Sequence, residues 1–170
     1  SQGIALEGMR LVIGNLPRAY DNGTDIEARA QMMSAAAMGA TAFQKGLGMT
    51  HSLAHPLSTR YGTHHGLANA LLVPFTTAFL EEMAVTEDHH ARIGRVHRLF
   101  DETGYGGEAL SEAIGHFVGR VGIELGLSRH GVKREDFEAL SREAFDDPCH
   151  QSNMVPVTRE TLRAAYEMAF

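Results

Sequence analysis

An all-α fold, a multi-helix bundle, is predicted by two observations: apolar residues recur in steps of three and four over most of the chain, and no stretch of alternating polar and apolar residues is bounded by turn signals. The 170 residues suffice for one domain around a single core. Leu6, Met9, Ile13 and Leu16 mark a first helix, expected to end at Pro17. Asn22-Gly23 makes a turn, and Thr24-Asp-Ile-Glu27 has the form of a capping box for a second helix. Its body, Met32 to Phe43, is crowded with alanine and glycine, which predicts close backbone approach and a buried place in the middle of the bundle.

The segment Gly46-Leu-Gly-Met-Thr-His51-Ser-Leu-Ala-His55-Pro-Leu follows, and then His65-Gly-Leu-Ala-Asn69-Ala. Leu67, Ala70, Leu71, Pro74, Phe75, Ala78 and Phe79 trace a buried helix kinked at Pro74. Further helices are expected over Thr86 to Phe100, Leu110 to Leu125, Arg134 to Phe145 and Thr158 to Phe170, punctuated by loops at Gly104 to Gly107 and Gly126 to Gly131. With the histidine segment that makes about eight helices. There is no internal repeat and no low-complexity tract.

Charge and composition narrow the function. Fifteen Lys and Arg against 21 Asp and Glu leave a net charge of −6, with no dense basic run, which argues against a nucleic-acid partner. A single cysteine, Cys149, forbids an internal disulfide and predicts a reducing compartment, the cytoplasm by default. The apolar run Leu67 to Leu80 is interrupted by Asn69, Pro74, Thr76 and Thr77 and is too short to span a bilayer, so no membrane is expected. The chain starts with Ser1 and enters an amphipathic pattern almost at once, which reads as a start inside a larger protein.

His51 and His55 are four apart, one turn above each other on a helix face, and His65 lies across a short turn. Imidazoles suit transition metals such as Zn²⁺ and Fe²⁺, whereas Mg²⁺ and Ca²⁺ prefer oxygen. Spacing alone does not choose between a metal site and packed histidines, because nothing in it aims all three rings at one point. His64 reads as a turn or surface residue, His89, His90 and His97 as a solvated face, and His116 and His130 as isolated fillers. Cys149 beside His150 raises a nucleophile reading that lacks an activating partner. There is no Gly-x-Gly-x-x-Gly after a strand, no phosphate loop, no His-Glu-x-x-His and no Gly-x-Ser-x-Gly.

Residues Gly46 to Pro74 closely resemble the second signature of the iron-containing alcohol dehydrogenases, a family that pairs an N-terminal dinucleotide-binding domain with a C-terminal helical domain. The resemblance runs along the chain. Ala5-Leu-Glu-Gly-Met-Arg-Leu-Val-Ile is similar to the helix after the family's first metal motif, Glu27-Ala-Arg-Ala-Gln-Met-Met to the next helix, and Asp147-Pro-Cys149 through Thr158 to the closing segment. The resemblance implies one metal, Fe²⁺ or Zn²⁺, held by an Asp and three His, two of which match His51 and His65. The Asp and the remaining His fall in an Asp-x-x-x-His motif expected before Ser1, with the dinucleotide-binding domain, outside residues 1–170. His55 matches a histidine near the nicotinamide and substrate, and Phe43 and Cys149 match positions lining the substrate pocket.

Departures from the family pattern are His64 where Pro is usual, Ser58 where Gly is common, and Asn153-Met-Val-Pro156 in place of an Asn-Pro pairing; Gly66 after His65 points away from the maleylacetate reductase branch. The implied activity is oxidation of a small alcohol, or reduction of the aldehyde, with NAD or NADP, in a homo-oligomer. The alternatives are a zinc-type glycerol dehydrogenase relative and a stand-alone helical binding or assembly module.

Overall fold

The computed structural model describes residues 2–170. Eight α-helices and four short 3₁₀ turns carry the chain, with no strand among the described residues: α1 (Gln2–Asp21), α2 (Ile26–Ala42), α3 (Met49–Tyr61), α4 (His65–Met83), α5 (Glu87–Glu102), α6 (Leu110–Arg120), α7 (Phe137–Asp146) and α8 (Arg159–Met168). The predicted all-α class stands. None of these helices is long and apolar enough to cross a membrane.

α1 and α2 form an antiparallel hairpin at one edge, while α3 and α4 form a second hairpin onto which α7 and α8 pack. α4 is the shared element, touching α3 and α8 on one side and α6 on the other. The larger apolar core lies among α3, α4, α7 and α8, with Met49, Leu53, Leu57, Leu72, Phe137, Leu140, Leu162 and Tyr166 all nearly inaccessible. At about 25 cal/mol per Å² of apolar surface, each of these side chains stabilises by roughly 1.5–3 kcal/mol on burial. This core backs the histidine-bearing helix.

A second, smaller cluster of Ile13, Phe100, Leu110, Ala113 and Phe117 joins α1, α5 and α6. The buried apolar residues thus form two clusters where a single core is expected, and an open pocket of about 630 Å³, lined by Val12, Ala35, Val73, Phe100 and Phe117 and reaching His51, lies against the smaller one.

Four local expectations also change. α1 passes through Pro17 instead of ending there, because a proline removes only one ladder bond and the turn beyond it is held by Arg18, whose Nη2 lies 3.0 Å from Asp25 Oδ2. Thr24 does not cap α2; its hydroxyl is taken by Asn22 Oδ1 at 2.7 Å within the turn, and Asp25 Oδ1 accepts the Ala28 N–H at 3.0 Å in its place. α2 is not a central helix. Only Ala28 and Ala35 on it are buried, since its small residues meet α1 on one face and the other face is uncovered. α6 stops at Arg120, short of Leu125.

Candidate metal centre

The site is built on the α3–α4 hairpin. α3 ends at Gly62, which caps it at φ 65°, a left-handed conformation glycine adopts without strain. Three residues later His65 opens α4, so it returns beside α3, where His51 and His55 already share a face. The ring centroids stand 5.3 Å apart for His51 and His65, 5.5 Å for His55 and His65, and 6.0 Å for His51 and His55. The structure therefore brings all three sequence-selected histidines together. A hydroxyl pair, Thr50 with Thr76 at 2.8 Å, ties the two helices just beside His51.

The donor set fits a transition metal. Two imidazoles on one tetrahedral ion, each nitrogen about 2 Å from it, have ring centres roughly 5 Å apart, the separation of His51 and His65. Burial, and then the neighbouring His65 and His55, lower the His51 pKa against a weaker opposing effect of Asp147, which keeps this ring neutral with a lone pair to offer. Asn69, one turn after His65, donates to the His65 carbonyl at 2.9 Å and lies 3.2 Å from its Nε2, while its own buried Oδ1 has no hydrogen-bond partner. An orphaned buried acceptor beside an imidazole is costly in a finished site, and such a group marks a position where a further ligand or water belongs.

A second strand of contacts reaches the site from the end of the chain. Asp147 Oδ2 lies 2.7 Å from His55 Nδ1, Asp147 Oδ1 accepts the Cys149 N–H at 2.8 Å, and the buried Ser52 hydroxyl reaches Asp147 Oδ1 at 3.1 Å. His150 N–H in turn donates to Ser52 Oγ at 2.8 Å. Burial alone would raise the Asp147 pKa, but the bonds from His55, Cys149 and Ser52 outweigh it and hold the carboxyl well below the usual carboxylate range. Asn153 caps α3 from the same segment, its Oδ1 accepting the Met49 N–H at 3.2 Å. The fit requires glycine at position 46: at φ 127°, a Cβ there would stand 2.2 Å from Ser152 Oγ.

His55, Asp147 and Cys149 have ligand atoms within 4.8 Å of one another. Their chemistry is that of a hydrogen-bonded cluster and not of a second ion site. Both carboxylate oxygens are engaged, and burial together with the adjacent carboxylate pushes the Cys149 thiol up to about 11, so it is protonated near neutral pH. The nucleophile reading of Cys149 and His150 finds no support in this geometry: His150 Nε2 donates to the Phe145 carbonyl at 2.9 Å and its ring stacks on Phe145. Cys149 does share a surface depression of about 590 Å³ with Phe43, Gly46 and Leu47, which places both predicted pocket residues around one hollow. Among the remaining histidines, His97 is drawn off the solvated face, its Nε2 bonded to the Gly107 carbonyl at 3.0 Å.

Sequence reasoning passed over Asp147, Ser52 and Asn69. Asp147 carried a usable signal: a carboxylate directly before proline and two residues before a cysteine has the form of a turn cap. Nothing local tied it to a histidine 92 residues earlier.

A model of the Fe-containing alcohol dehydrogenase family, C-terminal portion, matches residues 1–170. The chain belongs to that family. It is 38% identical over 176 residues to the 4-hydroxybutyrate dehydrogenase of Cupriavidus necator, covering 99% of this chain and 45% of that protein. The NAD-dependent methanol dehydrogenase of Bacillus methanolicus is 36% identical over 88% of this chain and 40% of its own length. The solved alcohol dehydrogenase from Oenococcus oeni superposes with a TM-score of 0.83 at 25% identity, over 99% of this chain and 44% of that one. The chain thus spans a little under half the length of the family relatives it matches, and corresponds to their C-terminal helical part.

Proposed function

We propose that these residues are the metal-holding and substrate-facing part of a metal-dependent NAD(P) alcohol dehydrogenase or aldehyde reductase. The observation that carries the reading is the triangle of His51, His55 and His65 at 5.3–6.0 Å, found in a chain of the Fe-containing alcohol dehydrogenase family. In this reading His51 and His65 hold Fe²⁺ or Zn²⁺. They supply half of a four-ligand shell, and an Asp-x-x-x-His motif outside residues 1–170 supplies the rest. A divalent ion held there polarises the substrate oxygen as a Lewis acid.

Alcohol oxidation removes a proton from oxygen and a hydride from carbon. This chain offers a group for the first: His55, whose imidazole stands between the other two rings and the Asp147 carboxylate, takes the hydroxyl proton and returns it in the reverse direction. No strand-turn-helix cradle for a pyrophosphate exists among the described residues, so NAD or NADP belongs to the dinucleotide-binding domain of the whole protein. Phe43 and Cys149 line the place where the alcohol's carbon chain lies.

The same reading puts the protein in the cytoplasm with a small alcohol or aldehyde as substrate. It also makes the protein a homo-oligomer, an assignment supported by the exposed Ile26 and Met33 on the uncovered face of α2.

The test is alcohol oxidation by the whole protein before and after chelation, with metal added back. Loss on chelation and recovery with Fe²⁺ or Zn²⁺ supports the reading. A preference for glycerol over monoalcohols in a zinc-loaded enzyme would move it to the glycerol dehydrogenase relatives. No nicotinamide turnover with any alcohol or aldehyde would leave a stand-alone binding module.

A further inference from the structure

We propose that Asp147 is a positioning residue for His55: its carboxylate fixes the imidazole as the Nδ1–H tautomer, so that Nε2 presents its lone pair to the substrate's hydroxyl proton. The role in turnover rests on the reading of His55 above; the tautomer does not.

Local sequence sets the carboxylate first. Pro148 bars Asp147 from helical backbone, because the proline ring crowds the residue before it, and Asp147 sits extended at φ −77° and ψ 126°. α7 therefore ends at Asp146, and the carboxylate caps the 3₁₀ turn Pro148–Ser152 through the Cys149 N–H. Ser52 and His55, three apart on α3, face this turn together.

The proton count then fixes the tautomer. Ser52 Oγ accepts the His150 N–H and donates to Asp147, where Oδ1 at 3.1 Å is the nearer acceptor and the backbone carbonyl at 3.4 Å the farther. Cys149 N–H is a second donor to the same oxygen. A carboxylate with two donors on Oδ1 is held ionised and has no proton to give, so the hydrogen in the 2.7 Å contact between Oδ2 and His55 belongs to Nδ1. Neutral imidazole carries one N–H, and Nε2 is left bare. Nε2 has no hydrogen bond among the described residues, and the His55 side chain is 38% exposed where Asp147 is 19% exposed: one ring edge is anchored and the other is open. In serine hydrolases a buried carboxylate orients a catalytic histidine by the same proton logic.

The experiment is ¹⁵N–¹H correlation of the histidine ring nitrogens in the metal-free 170-residue chain, with His55 assigned by its loss in His55→Gln. The expected spectrum, taken where the ring is neutral, shows His55 with a protonated Nδ1 and a bare Nε2. In Asp147→Asn the amide can donate to Nδ1, and the population is expected to shift toward the Nε2–H form. A wild-type His55 protonated on Nε2, or a tautomer unchanged in a folded Asp147→Asn, overturns the proposal. Should Asp147→Asn fail to fold, the wild-type spectrum alone decides.

In the whole dehydrogenase Asp147→Asn is expected to lower kcat on the order of a hundredfold with KM nearly constant. A rise in KM at unchanged kcat would contradict the positioning role. If His55→Gln leaves turnover intact, the proton role of His55 fails while the tautomer result stands, so the two failures are distinguishable.

Discussion

Tyr166 on α8 donates its hydroxyl to the backbone carbonyl of Leu53 on α3 at 2.6 Å, with both residues inaccessible to solvent. The bond lies between His51 and His55 along α3, on the face turned away from them, and it holds the histidine helix against the core. Burial first, and then the charge of Glu143, push the Tyr166 hydroxyl far above its ordinary pKa, so it remains a donor at any ordinary pH.

Tyr166→Phe keeps the ring stacked on Phe137 and removes only this donor. The expected cost is about 1 kcal/mol of stability, read as a lower denaturation midpoint at unchanged slope. Leu53→Ala, which empties a side chain from the same contact, is expected to cost about 2–5 kcal/mol. A Tyr166→Phe variant as destabilised as Leu53→Ala would mean that the hydroxyl organises more than one bond.

Acid should act through Asp147. Its folded-state pKa is depressed, so its contribution to stability is present in full above the unfolded carboxylate value of about 3.9 and is lost as pH falls below that toward the folded value. Stability of the wild-type chain should drop more steeply below about pH 4 than that of Asp147→Asn, which has no carboxylate to protonate. Parallel acid profiles for the two proteins, followed by chemical denaturation, would contradict this.

Much of this was readable in the residues, and the failures have physical causes. Three-and-four spacing located most of the helices, and the i, i+4 pair of His51 and His55 with a short turn to His65 marked the triad as a candidate, while the convergence of its three rings comes from the packing of α3 against α4. α2 was misplaced because Ala and Gly allow close approach without saying whether one face or two is covered. Asp147 was missed because its partners, Ser52 and His55, lie 95 and 92 residues away, and only tertiary packing of α7 and the following turn against α3 joins them. The gathering of α1, α5 and α6 around their own smaller cluster has no local sequence signal either.

Phe43 and Cys149 share one hollow, the proposed place of the alcohol's carbon chain. Phe43→Ala or Cys149→Phe in the whole enzyme should change the ratio of kcat/KM for long against short alcohols by roughly tenfold, about the worth of one or two methylenes in an apolar pocket, with metal content unchanged. Short and long alcohols shifting in parallel would remove both residues from the pocket.

Three neighbouring imidazoles are proposed to divide the labour, His51 and His65 holding the metal and His55 moving the proton. Two imidazoles are half a shell, so the 170-residue chain by itself should hold Fe²⁺ or Zn²⁺ weakly and show no turnover, whereas the whole protein should do both. Metal analysis of His51→Ala, His65→Ala and His55→Ala, each made in the whole protein, separates these roles. Loss of tight metal is expected from the first two, and stoichiometric metal with turnover lost in the third; stoichiometric metal in His51→Ala or His65→Ala, or its loss in His55→Ala, would overturn the assignment of roles.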